Sequence, residues 1–204
     1  MLRTRIAKRW MVLLVGVVAG GILAGGVVAA QFTGLDEQER LMAASAEEPA
    51  IRVADIEAAP GLPARGVFVQ NTSTGHLCLW DAPSATTLAR QGGCNRADDP
   101  LGGRKVFISL IYDGGPAAEQ VTDARLIGLV AREVVSVQVL MTNGAVRNIP
   151  MNRTLAVSSA AGSFRAFGYR FTAADLRRRL GPIAVLALDA SGREIDRQTT
   201  GFGG

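Results

Sequence analysis

The chain holds one histidine and two cysteines, and His76 stands two residues before Cys78 in the run HLCLW. On a strand, residues i and i+2 share a face. This spacing therefore sets an imidazole beside a thiol, the raw material of a Cys-His nucleophile. Neighbouring positions on one strand seldom give in-line proton transfer, however, and no third group is spaced to orient the imidazole. Cys94 also follows Cys78 with fifteen residues between them, which makes a structural disulfide, Cys78 with Cys94, the expected fate of both thiols. Closing a loop of that length contributes about 3 kcal/mol in the chain-entropy model. The bridge would also staple Asp81 to Gly93, a segment rich in Ala, Ser, Thr and Gly with little to bury.

The carboxylates offer less. Asp98-Asp99-Pro100 and Asp113-Gly114-Gly115 resemble fragments of calcium loops without the full ligand pattern, and turn chemistry accounts for both. One histidine with scattered acids lacks the spacing of a zinc site. Neither GxSxG, SxxK nor HExxH occurs, and Cys94 in QGGCN lies outside a strand run, unlike the TLxTC cysteine of the sortases. No catalytic, cofactor-binding or metal-ligating residue is therefore assigned. An anchored hydrolase or transferase would need His76 joined in one pocket to Asp81, Asp98 or Asp113; a flat sandwich with an exposed apolar strip would suit a binding module. Asn71-Thr72-Ser73 and Asn152-Arg153-Thr154 fit the glycan-acceptor pattern, and no weight is placed on the match.

The elements that must position these residues begin upstream. Trp10 to Ala30 carries no charged residue, and its twenty-one residues make about 31 Å of helix, enough for a hydrocarbon core of about 30 Å. Arg3, Arg5, Lys8 and Arg9 precede it and Asp36, Glu37 and Glu39 follow, a bias that puts residues 1–9 in the cytoplasm and the rest outside. The expectation is a signal anchor at 10–30, held in the lipid bilayer. A signal peptide cleaved after Ala30, which would release a secreted domain, is opposed by length, since cleavable apolar regions run about 7 to 15 residues. Gly16, Gly20, Gly21 and Gly25 form two overlapping small-xxx-small pairs. Such pairs let helices approach closely, as a homodimer or as an accessory subunit of a membrane complex, although glycine is common in membrane helices generally.

Charge, split by segment, excludes one class of partner. Residues 31–65 carry three arginines against seven acids and residues 66–204 fifteen Lys/Arg against eleven acids, so the part beyond the anchor is near neutral. The sequence pI of about 9.7 mostly reports the four cations of the topogenic signal, and no nucleic-acid partner is expected. Leu35 to Glu48 has good helix formers up to Pro49 and reads as a polar stalk; AIRVADIEAAPGLPARG, punctuated by Pro60, Gly61 and Pro63, reads as linker. Residues 31–65 are thus stalk and linker, and 66–200 the folded domain.

Within that domain nine short runs rich in β-branched and aromatic residues predict strands: 67–70, 76–80, 106–112, 125–131, 134–142, 146–151, 164–171, 183–189 and 193–199. Around Asn143-Gly144, a two-residue turn pairs Met141 with Val146 but sets Val137 against Pro150; the favoured readings are a three-residue turn with Gly144 in the left-handed region, which sets Val137 against Ile149 at the cost of facing Arg147 toward Val139, or a bulge at Arg147-Asn148 that reconciles both. Around Ser191-Gly192, Leu188 is expected opposite Ile195, and its arm, apolar on both faces, should be central in a sheet. Thr172 and Asp175 predict a capped helix ended by Gly181-Pro182. Arg177, Arg178 and Arg179 in its last turn read as a solvated face favoured by the helix dipole.

The succession HLCLWDA, GGC, RLIGLVAREVVSVQVLMTNGAVRNIPM and PIAVLALDASGREIDR resembles uncharacterised membrane-anchored or secreted envelope proteins of high-GC Gram-positive bacteria. The shared features fall on Cys78, Cys94, Gly128-Leu129-Val130, Gly144, Asn152, Pro182, Asp189 and Gly192, across residues 77–197, with Leu188 where an aromatic is usual. The resemblance implies a fold and an address and brings no activity. The combined expectation is a mainly β, antiparallel β-sandwich, immunoglobulin-like or similar, with one short helix, preceded by a transmembrane helix and a helical stalk or linker. Its role would be a non-enzymatic binding or interaction module outside the membrane, for an envelope or membrane-protein partner.

Overall fold

Each of the nine runs of β-branched and aromatic residues is a strand in the computed structural model, which describes residues 49–85, 91–114, 120–151, 156–159 and 162–200. The expected anchor at 10–30 with its glycines, the stalk to Glu48 and the Asn152 acceptor lie outside the described residues. Among those described, no helix is long and apolar enough to cross a membrane. In chain order the strands are β1 (Ile51–Ile56), β2 (Arg65–Asn71), β3 (His76–Ala82), β4 (Gln91–Arg96), β5 (Val106–Gly114) and β6 (Val121–Ala131). There follow β7 (Ser136–Met141), β8 (Val146–Ile149), β9 (Ala156–Ser159), β10 (Gly162–Arg170), helix α1 (Ala173–Arg177), β11 (Pro182–Leu188) and β12 (Glu194–Thr199).

The structure corrects two expectations about where strands lie. Ile51–Ile56 is not linker: it pairs antiparallel with β2 and buries Val53 and Ile56, so the domain begins upstream of Gly66. A bulge at Val53 turns both Val53 and Ala54 inward and breaks the period-two alternation that marks a strand. Cys94 likewise lies inside a strand, although QGGCNR has no β-branched residue. Gly92 is required there, because a Cβ would fall 1.9 Å from the Leu79 carbonyl oxygen, and Trp80 on β3 stands opposite it.

Three antiparallel four-stranded sheets result, ordered β1-β2-β3-β4, β5-β6-β10-β9 and β12-β11-β7-β8. The second is the middle layer: β6 is buried from Asp123 to Ala131 on both faces, as a central strand covered twice must be. Toward the first sheet the approach is close, since a Cβ on Gly168 of β10 would meet Ile56 Cγ1 at 2.6 Å and Val67 Cγ2 at 2.8 Å. One apolar core runs through all three sheets, from Leu79 and Val67 through Leu126 and Phe167 to Val139 and Val185. Each such fully buried side chain is worth about 1.5–3 kcal/mol of transfer free energy.

The β7-β8 hairpin has the expected register, with Val137 opposite Ile149, Val139 opposite Arg147 and Gly144 at φ 79°. The β11-β12 hairpin does not. Asp189 N–H donates to the Arg193 carbonyl and Gly192 N–H to the Asp189 carbonyl, closing the same three-residue turn as its counterpart. Leu188 therefore faces Glu194, and a bulge then sets Ala187 against Asp196. With that shift the Asp196 carboxylate accepts from the backbone N–H of Lys105 (2.8 Å) and Val106 (3.2 Å), tying β12 to the start of β5. As expected, β11 is central in its sheet.

Helix α1 is capped as its sequence predicts. The Thr172 hydroxyl accepts from Asp175 N–H at 3.1 Å and the Asp175 carboxylate accepts from Thr172 N–H at 3.1 Å. It ends earlier than Gly181-Pro182, through a complete Schellman turn: Leu180 N–H donates to Asp175 O and Arg179 N–H to Leu176 O. Arg179 occupies the left-handed position of that turn at φ 54°.

Candidate functional site

Strand β3 sorts the chemistry-bearing residues onto two faces. Leu77, Leu79 and Asp81 point into the shared core; Cys78, Trp80 and Ala82 form a second apolar cluster on the other face. The disulfide is present: Cys78 and Cys94 face each other across β3 and β4, with an S–S distance of 2.06 Å. Phe68 stacks near Trp80 with ring centroids 6.2 Å apart. His76 lies half-buried at the start of β3, its Nδ1 3.2 Å from the Thr74 hydroxyl. Both thiols are consumed, so no thiolate stands beside the imidazole.

The carboxylates do not gather around His76. Asp81 leaves β3 at the other end and on the other face, and Asp98 is held by Arg96 through Nε at 2.9 Å and Nη2 at 2.6 Å. Asp99 Oδ1 accepts from Gly103 N–H, the turn chemistry expected of it. Asp113 is more than a turn residue. It converges with Asp81 and Asp123 on Arg125, which is fully buried at the head of the apolar run of β6.

Arg125 uses all five of its N–H donors. Nε donates to Asp81 Oδ2 at 2.6 Å; Nη1 donates to Asp113 Oδ2 at 2.7 Å and to Asp123 Oδ2; Nη2 donates to Asp113 Oδ1 at 3.1 Å and to Gln91 Oε1 at 3.2 Å. Two further cations close the cluster: Arg65 Nε donates to Asp81 Oδ2 at 2.6 Å, and Arg170 Nε lies 3.1 Å from Asp123 Oδ1. Arg170 Nη1 also donates to the carbonyls of Glu57 (2.6 Å) and Pro63 (3.0 Å). Three carboxylates and three guanidiniums thus balance to zero charge.

The electrostatics follow from that packing. Burial works against the charge on Arg125, but its hydrogen bonds to Asp113 and Asp123 and the field of Asp81 outweigh it and hold the guanidinium protonated. The Arg125 fork in turn holds Asp113 below the usual carboxylate range. A carboxylate so held is ionised at neutral pH and is no general acid. The cluster is an ion-pair staple between β2 and β3 of the first sheet and β5, β6 and β10 of the second.

Sequence reasoning missed Arg125. Its signal was available in VTDARLIGLVA, where Asp123 and Arg125 share a face with Ile127 and Leu129 in a strand apolar on both sides. A charge pair on a doubly buried strand must find partners in the facing sheet. A second ion pair meets the cost foreseen for Arg147: its Nη2 donates to the buried Asp175 at 3.2 Å.

Among the described residues, no group of three or more His, Cys, Asp or Glu is arranged to hold a metal ion. No protein-family model, curated protein or solved structure matches the chain.

Proposed function

We propose that the chain is a single-pass envelope protein whose domain acts outside the membrane as a non-enzymatic binding or interaction module. The observation that carries this reading is the Cys78–Cys94 bond, because disulfides persist in oxidising compartments and are rare in the cytosol. It agrees with the charge bias around residues 10–30 and with the resemblance to anchored or secreted envelope proteins. Further support comes from the side chains that chemistry would need. The thiols are bonded to each other, Asp81, Asp113 and Asp123 are spent on Arg125, and His76 stands apart from them.

Paired reporters fused after Gly204 test the address. One reporter is active only in the cytosol and the other only outside it. Activity of the external reporter alone is the expected result; activity of the cytosolic one alone overturns the reading.

A further inference from the structure

The one Asn-Gly pair of the chain sits at the tip of the β7-β8 hairpin, where Asn143 and Gly144 are both exposed. Met141 N–H donates to the Ala145 carbonyl at 2.8 Å and Gly144 N–H to the Met141 carbonyl at 2.9 Å, which closes the turn. Ala145 N–H donates to Asn143 Oδ1 at 3.1 Å. The pair shapes the hairpin, and the same placement sets up a reaction between its own two residues.

The bond from Ala145 both orients and polarises the Asn143 carboxamide. Attack on Cγ puts negative charge on Oδ1, where a backbone N–H already stands, the arrangement that stabilises a developing oxyanion. The nucleophile is next in the chain: the Gly144 nitrogen reaches Cγ by closing a five-membered ring. It must first leave the Met141 carbonyl, and losing one such hydrogen bond slows the step by a factor of only about 2 to 12. Gly144 has no Cβ, and among the described residues no heavy atom beyond its chain neighbours lies within 4 Å of where one would stand. The peptide between the two residues therefore has room to swing onto the side chain.

The other described asparagines lack this combination. Asn95 lies in β4, where its Nδ2 donates to the Pro100 carbonyl at 3.0 Å and the following nitrogen belongs to Arg96. Asn148 lies in β8, its Oδ1 accepting from Gln138 Nε2 at 3.0 Å, and precedes the buried Ile149. Asn71 precedes the buried, β-branched Thr72, whose N–H donates to the His76 carbonyl at 2.9 Å.

We propose that Asn143 is a site of self-modification, deamidating through a succinimide formed with Gly144. A bond forms between the Gly144 nitrogen and Asn143 Cγ, the Cγ–Nδ2 bond breaks, and ammonia departs with the proton from the Gly144 nitrogen. Water then opens the ring at Cγ, which gives an aspartate, or at the backbone carbonyl carbon, which gives an isoaspartate. Either product adds a negative charge to the hairpin tip. The isoaspartate also routes the backbone through Cβ, lengthening the turn that sets Val137 opposite Ile149. The domain thus carries a mark of age at one exposed turn, an inference independent of the binding-module reading.

The test incubates the full chain in nonionic detergent, with and without urea, and maps tryptic peptides by mass over time. Residues 133–147 form one such peptide, with Asn143 its only asparagine. Expected in the folded chain is replacement of the Asn143 amide by an acid, faster as pH rises, with part of the product methylated by an isoaspartyl methyltransferase. The rate should lie within about tenfold of that in urea, while Asn95 and Asn148 convert at least about tenfold more slowly than Asn143. Gly144→Ala, folded or not, restricts the swing of the attacking peptide and should slow the reaction by about fivefold. An Asn143 that stays intact in the folded chain while urea converts it would overturn the proposal. So would equal conversion at Asn71, Asn95 or Asn148, or an unchanged rate in Gly144→Ala.

Discussion

Replacing Arg125 by methionine keeps a side chain of similar reach and removes the cation that three carboxylates share. Taking one partner from a buried ion pair typically costs about 3–5 kcal/mol, because the other charge is left desolvated. Here Asp81 keeps Arg65 at 2.6 Å, Asp123 keeps Arg170 at 3.1 Å, and the Asp113 side chain is 38% exposed and can turn to water. The low end of the range applies, about 3 kcal/mol, or a melting temperature lower by about 6–12 °C for a chain of this size. Urea unfolding followed by Trp80 fluorescence in a Trp10→Phe background measures it. The pH dependence has a definite sign. Asp113 is held below its unfolded range, so its contribution is present above about pH 4 and is lost as pH falls through its lower folded value. The variant has already lost that contribution, so the gap between the two proteins should narrow toward pH 3. A double-mutant cycle with Asp81→Asn should show coupling of about 1.5 kcal/mol or more. A gap under about 1 kcal/mol at pH 7, or one that widens in acid, refutes the staple.

Other substitutions test other joints. Gly92→Ala should cost at least about 2 kcal/mol in urea unfolding, because the new methyl meets the Leu79 carbonyl oxygen at 1.9 Å. Cys78→Ala with Cys94→Ala should cost about 3 kcal/mol by the same measurement. Arg179→Gly should raise stability by about 0.5–1 kcal/mol, read as a higher urea midpoint with unchanged slope, since it relieves the left-handed arginine. Asp175→Ala removes a capping-box carboxylate and leaves Arg147 without its partner, for a loss of about 1–2 kcal/mol. Burial opposes the charge on Asp175, but hydrogen bonds from Thr172 and Arg147 prevail and hold its carboxyl below the usual range. Stability that Asp175 adds above about pH 4 is thus lost in acid, and a pH series should show the deficit of this variant shrinking there.

The strands rich in valine, isoleucine and phenylalanine were legible because each buries a face, and alternation in β7 (Val137, Val139, Met141) maps directly onto burial. The hairpin at Gly144 was legible because only one register sets Val137 against Ile149. What escaped was set by the rest of the fold. Strand β4 exists because a disulfide and the neighbouring β3 supply what Gly92 and Gly93 lack, and β1 hides its alternation behind a bulge. Leu188 would face Ile195 across a two-residue turn; a three-residue turn forms instead, and that extra residue delivers Asp196 to the core side. The ion staple escaped for a different reason: its members come from β3, β5 and β6 and from Arg65 and Arg170, positions that only the stacking of two sheets brings together. The disulfide, by contrast, needed nothing beyond two cysteines and the expectation of export.

The oxidised pair is also where an exported module is most open to a direct check. Cells producing the full chain are quenched in acid, the protein is denatured, and free thiols are alkylated with and without prior reduction before intact-mass analysis. An exported domain predicts no added alkyl groups without reductant and two with it, at Cys78 and Cys94. Two alkyl groups on the unreduced chain would contradict it, placing both thiols in a reducing compartment.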